Sequence, residues 1–322
     1  MEAMTTLAIL FAAAAVPILS GPLAVQAQVP PDIATKIRAI GRKVDPEGTA
    51  RIYAPLQKKK PYAGVKMTRD IHFGPGPRDT FDLFVPEDAG GGPRPVLIFV
   101  HGGAFVGGDK NQYPDGTPSP FYDNIMLWGV NHGMIGVNMN YELAPKAQYP
   151  AVQKDIATVI RWVQENAGRY GADPKRVFLW GHSAGASHVA SYVAHPEYYP
   201  AGGPGLSGAI MSSGSYDFAA ASAPGGRGNH PYFGDASTLG EKSSVPGLLK
   251  TNIPLFVVAA ELDPEGMIQQ ARELNDVLCK QGRCPEFMIL KDHGHISESY
   301  CVNTSDESLT GPLLTFMQRA KY

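Results

Sequence analysis

The sequence predicts an α/β fold, with a mostly parallel central sheet, helices on both faces and an antiparallel hairpin at its N-terminal edge. Three observations predict it. Short, wholly or largely apolar runs at 96–100, 134–139, 177–180, 207–211 and 253–260 read as strands buried on both sides. Helical stripes lie between them, the clearest at 152–167, where Ile156, Val159, Ile160 and Val163 share a face. Gly74-Pro75-Gly76-Pro77 then separates two strand-like runs, 65–73 and 80–85, with a strong turn signal.

Taken in order, the chain starts with an apolar run, residues 5–19, that leads through small residues to Val25-Gln26-Ala27. Its length and small-x-small end predict a secretory signal peptide over 1–27, too short to span a membrane, although Glu2 precedes it and no Lys or Arg does. Export, to the periplasm or outside the cell, is the expectation, with no stable membrane insertion of the mature chain. Residues 28–64 read as an N-terminal arm: Pro30-Pro31-Asp32 can start a helix with Ile33, Ile37 and Ile40 on one face, whereas 48–64 has little periodicity. Residues 65–322 form the main domain. Beyond the runs already named it has helical patterns at 121–130, 184–194, 267–278 and 307–320 and a further strand at 286–290. The segment 213–246, rich in Ala, Gly, Ser and Pro, breaks the alternation and reads as a lid or binding insertion.

Charge excludes some functions. With Lys+Arg 28 against Asp+Glu 30, the chain carries no footprint for nucleic acid, and Lys58-Lys59-Lys60 reads as a solvated loop. The three cysteines, Cys279, Cys284 and Cys301, allow one disulfide in an exported protein; Cys279 and Cys284 are nearest in sequence, and the pairing stays open.

The chemistry centres on Gly181-His182-Ser183-Ala184-Gly185, which ends an apolar strand and opens a helix. A strand, G-x-S-x-G and a helix make a nucleophile elbow, a turn so tight that its flanks must be glycine and its serine projects clear of the sheet. Sites on parallel sheets gather at the carboxyl ends of the strands. After 96–100 come His101-Gly102-Gly103-Ala104, whose close-approaching backbone makes the N–H groups of Gly103 and Ala104, with that of Ala184, candidates for an oxyanion hole. After 253–260 come Glu261 and Asp263; Asp263 can orient a histidine or cap the next helix, and Glu261 competes with it. After 286–290 come His293 and His295, one of which is the base. A metal pair is the alternative for them, set aside because no third ligand stands at suitable spacing, so neither metal nor cofactor is expected. Phe105, Tyr216 and Phe233 are the candidate substrate-binding residues.

A serine, then a carboxylate, then a histidine is the chain order of α/β-hydrolases. The chain resembles that superfamily, in particular carboxylesterases near the hormone-sensitive-lipase and arylformamidase-like branches. The resemblance rests on His101-Gly-Gly-Ala104, Asn140-Tyr-Glu-Leu-Ala-Pro145 with Tyr149-Pro-Ala151, Tyr170-Gly-Ala-Asp-Pro174 and the elbow, and covers about 65 to the C-terminus. It implies an α/β-hydrolase fold and cofactor-free hydrolysis of a small-molecule ester by Ser183, His295 and Asp263. It also implies a structural role for the Asn140–Pro145 segment, in positioning the elbow. His295 takes the base's place because Asp292-His293-Gly294-His295-Ile296-Ser297 aligns with a Gly-His-x-His-Ile-Ser loop; Gly294 is expected to give the backbone freedom to present it. The chain departs at Ala104, where many relatives have a third glycine. An amidase or formamidase would use the same groups, and a binding protein on a hydrolase scaffold is a third reading.

Overall fold

The computed structural model describes residues 29–88, 90, 92–111, 119–223 and 228–320; the segment 1–27, where a signal peptide is expected, lies outside them. In chain order the elements are α1 (Pro31–Ile40), α2 (Pro46–Tyr53), β1 (Val65–His72), β2 (Thr80–Pro86), β3 (Arg94–Val100), α3 (Asp123–Asn131), β4 (Ile135–Met139), α4 (Ala151–Tyr170), β5 (Ala172–His182) and α5 (Ala184–Ala194). There follow β6 (Gly208–Ser212), α6 (Val245–Leu248), β7 (Leu255–Leu262), α7 (Glu265–Lys280), β8 (Glu286–Gly294), α8 (Ser297–Tyr300) and α9 (Thr310–Arg319).

The strands form one eight-stranded sheet in the order β1-β2-β4-β3-β5-β6-β7-β8. β1 and β2 pair antiparallel, β2 joins β4 antiparallel, and every other neighbouring pair is parallel. The apolar runs explain the layering. Side chains alternate along a strand, so Val96, Ile98 and Val100 of β3 face one core with α4, α5 and α7, while Leu97 and Phe99 face the other with α1, α3 and α9. Each large apolar side chain so buried contributes about 1.5–3 kcal/mol relative to exposure.

Where periodicity is weak the sequence reading falls short. α2 lies in the stretch that shows little pattern; Asp45 caps it through the Gly48 N–H at 2.8 Å, Pro46 starts it, and only Thr49 and Tyr53 are buried. β8 runs four residues past the apolar 286–290 because Leu262 and Gly294 still pair. Gly294 therefore has ordinary strand geometry and does not supply the expected freedom; Asp292 carries the positive φ, 63°. The N-terminal arm packs on the domain, α1 against β8 and α2 against α8. Cys279 and Cys284 form a disulfide at the end of α7, and Cys301 is a free, buried thiol. Among the described residues no helix is long and apolar enough to cross a membrane.

Candidate active site

The elbow follows from sterics. A Cβ on Gly181 would sit 2.3 Å from the Gly185 carbonyl oxygen, and one on Gly185 would sit 2.0 Å from that of Val100. Ser183 takes φ 57° between them, a region costly to non-glycine residues, and its N–H is anchored on the Ser212 carbonyl at 2.9 Å. The turn after β3 is built likewise: a Cβ on Gly103 would meet the Gly107 oxygen at 2.0 Å, and Ala104 and Phe105 both have positive φ. His101 braces it. Nδ1 donates to the Gly102 carbonyl at 2.6 Å, Nε2 accepts from Arg78 at 3.3 Å, and burial pushes the imidazole's pKa down, keeping it neutral. The Asn140–Pro145 segment holds this same turn: the Tyr141 hydroxyl donates to the His101 carbonyl at 2.8 Å, and the Ala144 N–H donates to that of Phe105 at 3.0 Å. Its bonds thus run to the glycine turn, where the resemblance implies the elbow.

Ser183, His295 and Asp263 come together from three strand ends. His295 Nε2 lies 2.8 Å from Ser183 Oγ, and its Nδ1 lies 2.8 Å from Asp263 Oδ1. A carboxylate only accepts, so Nδ1 carries the proton and Nε2 is free to accept the serine's. Burial opposes a charged His295, but the Asp263 bond and charge, with that of Glu298, outweigh it and raise the pKa above the usual histidine value. Asp263 is fully buried; its Oδ2 accepts from the Ala260 N–H at 2.7 Å and from the Ser213 hydroxyl. The N-cap of α7 is Pro264 and no side chain caps it, so Asp263 does not play the capping part. Glu261 is exposed and accepts the Asp292 N–H at 2.8 Å.

His293 points elsewhere. Its Nδ1 meets Ser297 Oγ at 3.0 Å, and its Nε2 lies 3.1 Å from Asp306 and 3.2 Å from Ser308. It shares this buried corner with Cys301 and Asp306, the group of potential metal ligands found among the described residues. The two histidines of the loop thus make no metal pair.

Gly103, Ala104 and Ala184 line one cavity with Ser183 and His295, of about 570 Å³. Ala184 is the first residue of α5, so its N–H has no partner within the helix and the helix dipole aims at the cavity. No Asp, Glu, Lys or Arg is among the described residues that line it. Phe105 does line it, stacked edge-on against Phe218 and His230 at 5.6 and 4.6 Å between ring centroids. Burial holds His230 down to about 4, so it is an uncharged wall. Tyr216 and Phe233 are a correction: both are buried in the core and off the cavity's lining. The backbone N–H of Tyr216 donates to Gln270 Oε1 at 2.7 Å, and the Phe233 ring packs against Phe218 and Tyr149. The insertion instead presents Ser215, Phe218, Asn229, His230 and Leu239, and the arm adds Val44 and Pro46. A larger groove, about 960 Å³, lies at the amino ends of β6 and β7, the end of the sheet away from Ser183.

Three residues at the site escape sequence reasoning. Ser213 bonds Asp263; His182 Nε2 donates to the His295 carbonyl at 2.7 Å; Glu298, fully buried, lies 3.2 Å from His182 with its pKa raised by burial. Their contacts bridge 50 and 113 residues of chain for Ser213 and His182, and no local pattern signals them.

Comparison with known proteins agrees with the fold. The family model BD-FAE matches residues 81–198. Esterase LipQ of Mycobacterium tuberculosis is 38% identical over 146 residues, which is 44% of this chain and 32% of LipQ. Human Neuroligin-2 is 34% identical over 100 residues, 30% of this chain and 12% of neuroligin. The chain therefore spans about a third or less of these relatives. A solved structure of a hyperthermophilic esterase from the archaeon Pyrobaculum calidifontis superposes with a TM-score of 0.65 at 17% identity, covering 90% of this chain and 98% of that one. With the mostly parallel sheet and the antiparallel strands at its start, this superposition shows the α/β-hydrolase fold, and the family model and the esterase among these relatives are what the chain is similar to in sequence.

Proposed function

We propose that the protein hydrolyses carboxylic esters through an acyl-enzyme on Ser183. The observation that carries the proposal is the unbroken line of hydrogen bonds Ser183–His295–Asp263 opening into a cavity that the glycine turn also lines. Ser183 Oγ attacks the carbonyl carbon as its proton passes to His295 Nε2. The new oxyanion rests on the N–H groups of Gly103, Ala104 and Ala184, each such donor stabilising the transition state by about 3 kcal/mol. His295 gives its proton to the departing alcohol, then takes one from the water that frees the acyl group. Asp263 keeps Nδ1 protonated and stabilises the imidazolium throughout. The test is turnover of nitrophenyl esters together with fluorophosphonate labelling at Ser183; a chain that does neither is not this enzyme. The apolar N-terminal segment and the Cys279–Cys284 disulfide support a place outside the reducing cytosol.

Asp263→Asn should lower kcat about 10³-fold or more, because an amide in its place no longer fixes the tautomer or balances the imidazolium. Glu261→Gln, exposed and able to keep an acceptor for Asp292, should change it about twofold or less. Equal losses in steady-state kinetics of the two variants would leave the acid unassigned.

The cavity wall sets a second expectation. Phe218→Ala should reorder a series of nitrophenyl esters of increasing acyl length, since that ring faces the cavity. Tyr216→Ala and Phe233→Ala should leave the order unchanged and cost about 3–5 kcal/mol of stability, as buried aromatic truncations do. Thermal melts beside the ester panel decide it, and a changed order from Tyr216→Ala would restore that ring to the cavity.

A further inference from the structure

We propose that Arg42, on the arm ahead of the domain, is a positioning residue of the active site: its guanidinium fixes the backbone of the turn that carries Asp263. The proposal rests on the serine-hydrolase reading above. Arg42 Nη1 donates to the carbonyl of Asp263 at 2.6 Å and to that of Glu261 at 3.1 Å, while Nη2 lies 3.3 Å from Glu265 at the start of α7. One planar fork thus gathers the end of β7, the acid and the first turn of the next helix. Its bonds add to those within the turn, the Asp263 N–H on the Ala260 carbonyl at 3.1 Å, the Ala260 N–H on Asp263 Oδ2 at 2.7 Å and the Met267 N–H on the Pro264 carbonyl at 2.9 Å, and alone among these tie the turn to the arm. Charge-assisted bonds are the stronger kind available to a carbonyl.

A ring of contacts ties this grip to the base. Arg38, in the last turn of α1 and four residues before Arg42, pairs with Asp292, three residues ahead of His295. The Asp292 N–H donates to the Glu261 carboxylate at 2.8 Å, and the Glu261 carbonyl returns to Arg42. Asp292 sits at φ 63°, in the left-handed region that aspartate enters more readily than most residues. Arm, β8 and β7 are therefore closed against one another on the side where acid and base must stay 2.8 Å apart. Ile37 of α1, buried, lies beside Gly294 and completes the packing under the base.

The experiment uses the full chain, with active sites counted by fluorophosphonate titration and kcat and KM measured on nitrophenyl acetate. Arg42→Ala should lose about tenfold in kcat per titrated site with KM within about twofold, because loosened positioning of a catalytic group slows chemistry rather than binding. Arg51→Ala, whose guanidinium pairs with Glu47 on exposed α2, should match the wild type. Should Arg42→Ala fail to fold, Arg42→Gln is read by the same criterion. A kcat per titrated site within about twofold of wild type, or a loss that shows only as fewer titratable sites, would overturn the proposal. A wild type that neither turns over the ester nor labels at Ser183 would instead defeat the serine-hydrolase reading, so the two failures are told apart.

Discussion

Ser183→Ala should reduce ester turnover below about one per cent of wild type, a loss of more than about 2.7 kcal/mol of transition-state stabilisation. The substitution takes away only Oγ, which bonds His295 Nε2. The fold has little reason to notice. Alanine keeps the Cβ that already stands in the elbow at φ 57°, and the N–H that bonds the Ser212 carbonyl is unchanged. The oxyanion turn and the cavity also stay, so a residual rate above water is expected, but no acyl-enzyme can form. Fluorophosphonate labelling should vanish with turnover while the melting temperature stays within about a degree or two, as for substitutions that leave no cavity or unpaired group. Turnover above that one per cent, with the protein folded, would remove Ser183 from the reaction. Loss of activity together with a collapsed melt would say only that the elbow cannot take alanine, and labelling of the wild-type serine would then carry the assignment.

How much of this was legible in the sequence depends on how local the physics is. The elbow was legible because its sterics are local: two glycines and a serine between an apolar strand and a helix leave few other conformations. The sheet was legible because burial on both faces writes continuous apolar runs such as 96–100. Helix α2 was not, although Asp45-Pro46 is a start signal, because a helix of eight residues with two buried side chains leaves no stripe to read. The ends of β5 and β8 were missed for a related reason. Residues such as Asp173, Lys175 and Lys291 are held in strands by pairing with neighbours, as at Arg94 with Ala172 and Leu262 with Gly294, and not by their own propensity. The cavity walls were least legible. An aromatic in the insertion can face the cavity like Phe218 or the core like Tyr216, and the local sequence around the two does not distinguish them. Arg42 belongs to the same class, since its partners lie 219 and 221 residues away.

His295→Ala should lower kcat about 10³-fold or more, whereas His293→Ala should lower it about tenfold or less and destabilise the fold. Each histidine is fully engaged, but with different company. His295 stands between Asp263 and Ser183, so its loss leaves the nucleophile with no acceptor for its proton. His293 stands among Ser297, Ser308 and Asp306, none of which faces the cavity. Burial works against the Asp306 carboxylate, and the His293 contact is what holds its pKa below the ordinary range. Removing that imidazole takes the charge partner from a buried carboxylate that keeps only its Ser308 bonds, at a cost of about 1–3 kcal/mol. The wild type supplies a second check through pH. His295 must be neutral to accept the serine's proton, and its pKa is raised, so kcat/KM should fall as pH drops through a value above the free histidine's of about 6.5. The same limb should persist in His293→Ala, because Asp263, Glu298 and His182 still surround the base. Steady-state kinetics of both purified variants on one nitrophenyl ester, with circular dichroism melts, decide between the two. A greater loss of kcat from His293→Ala than from His295→Ala would hand the base's role to the other histidine.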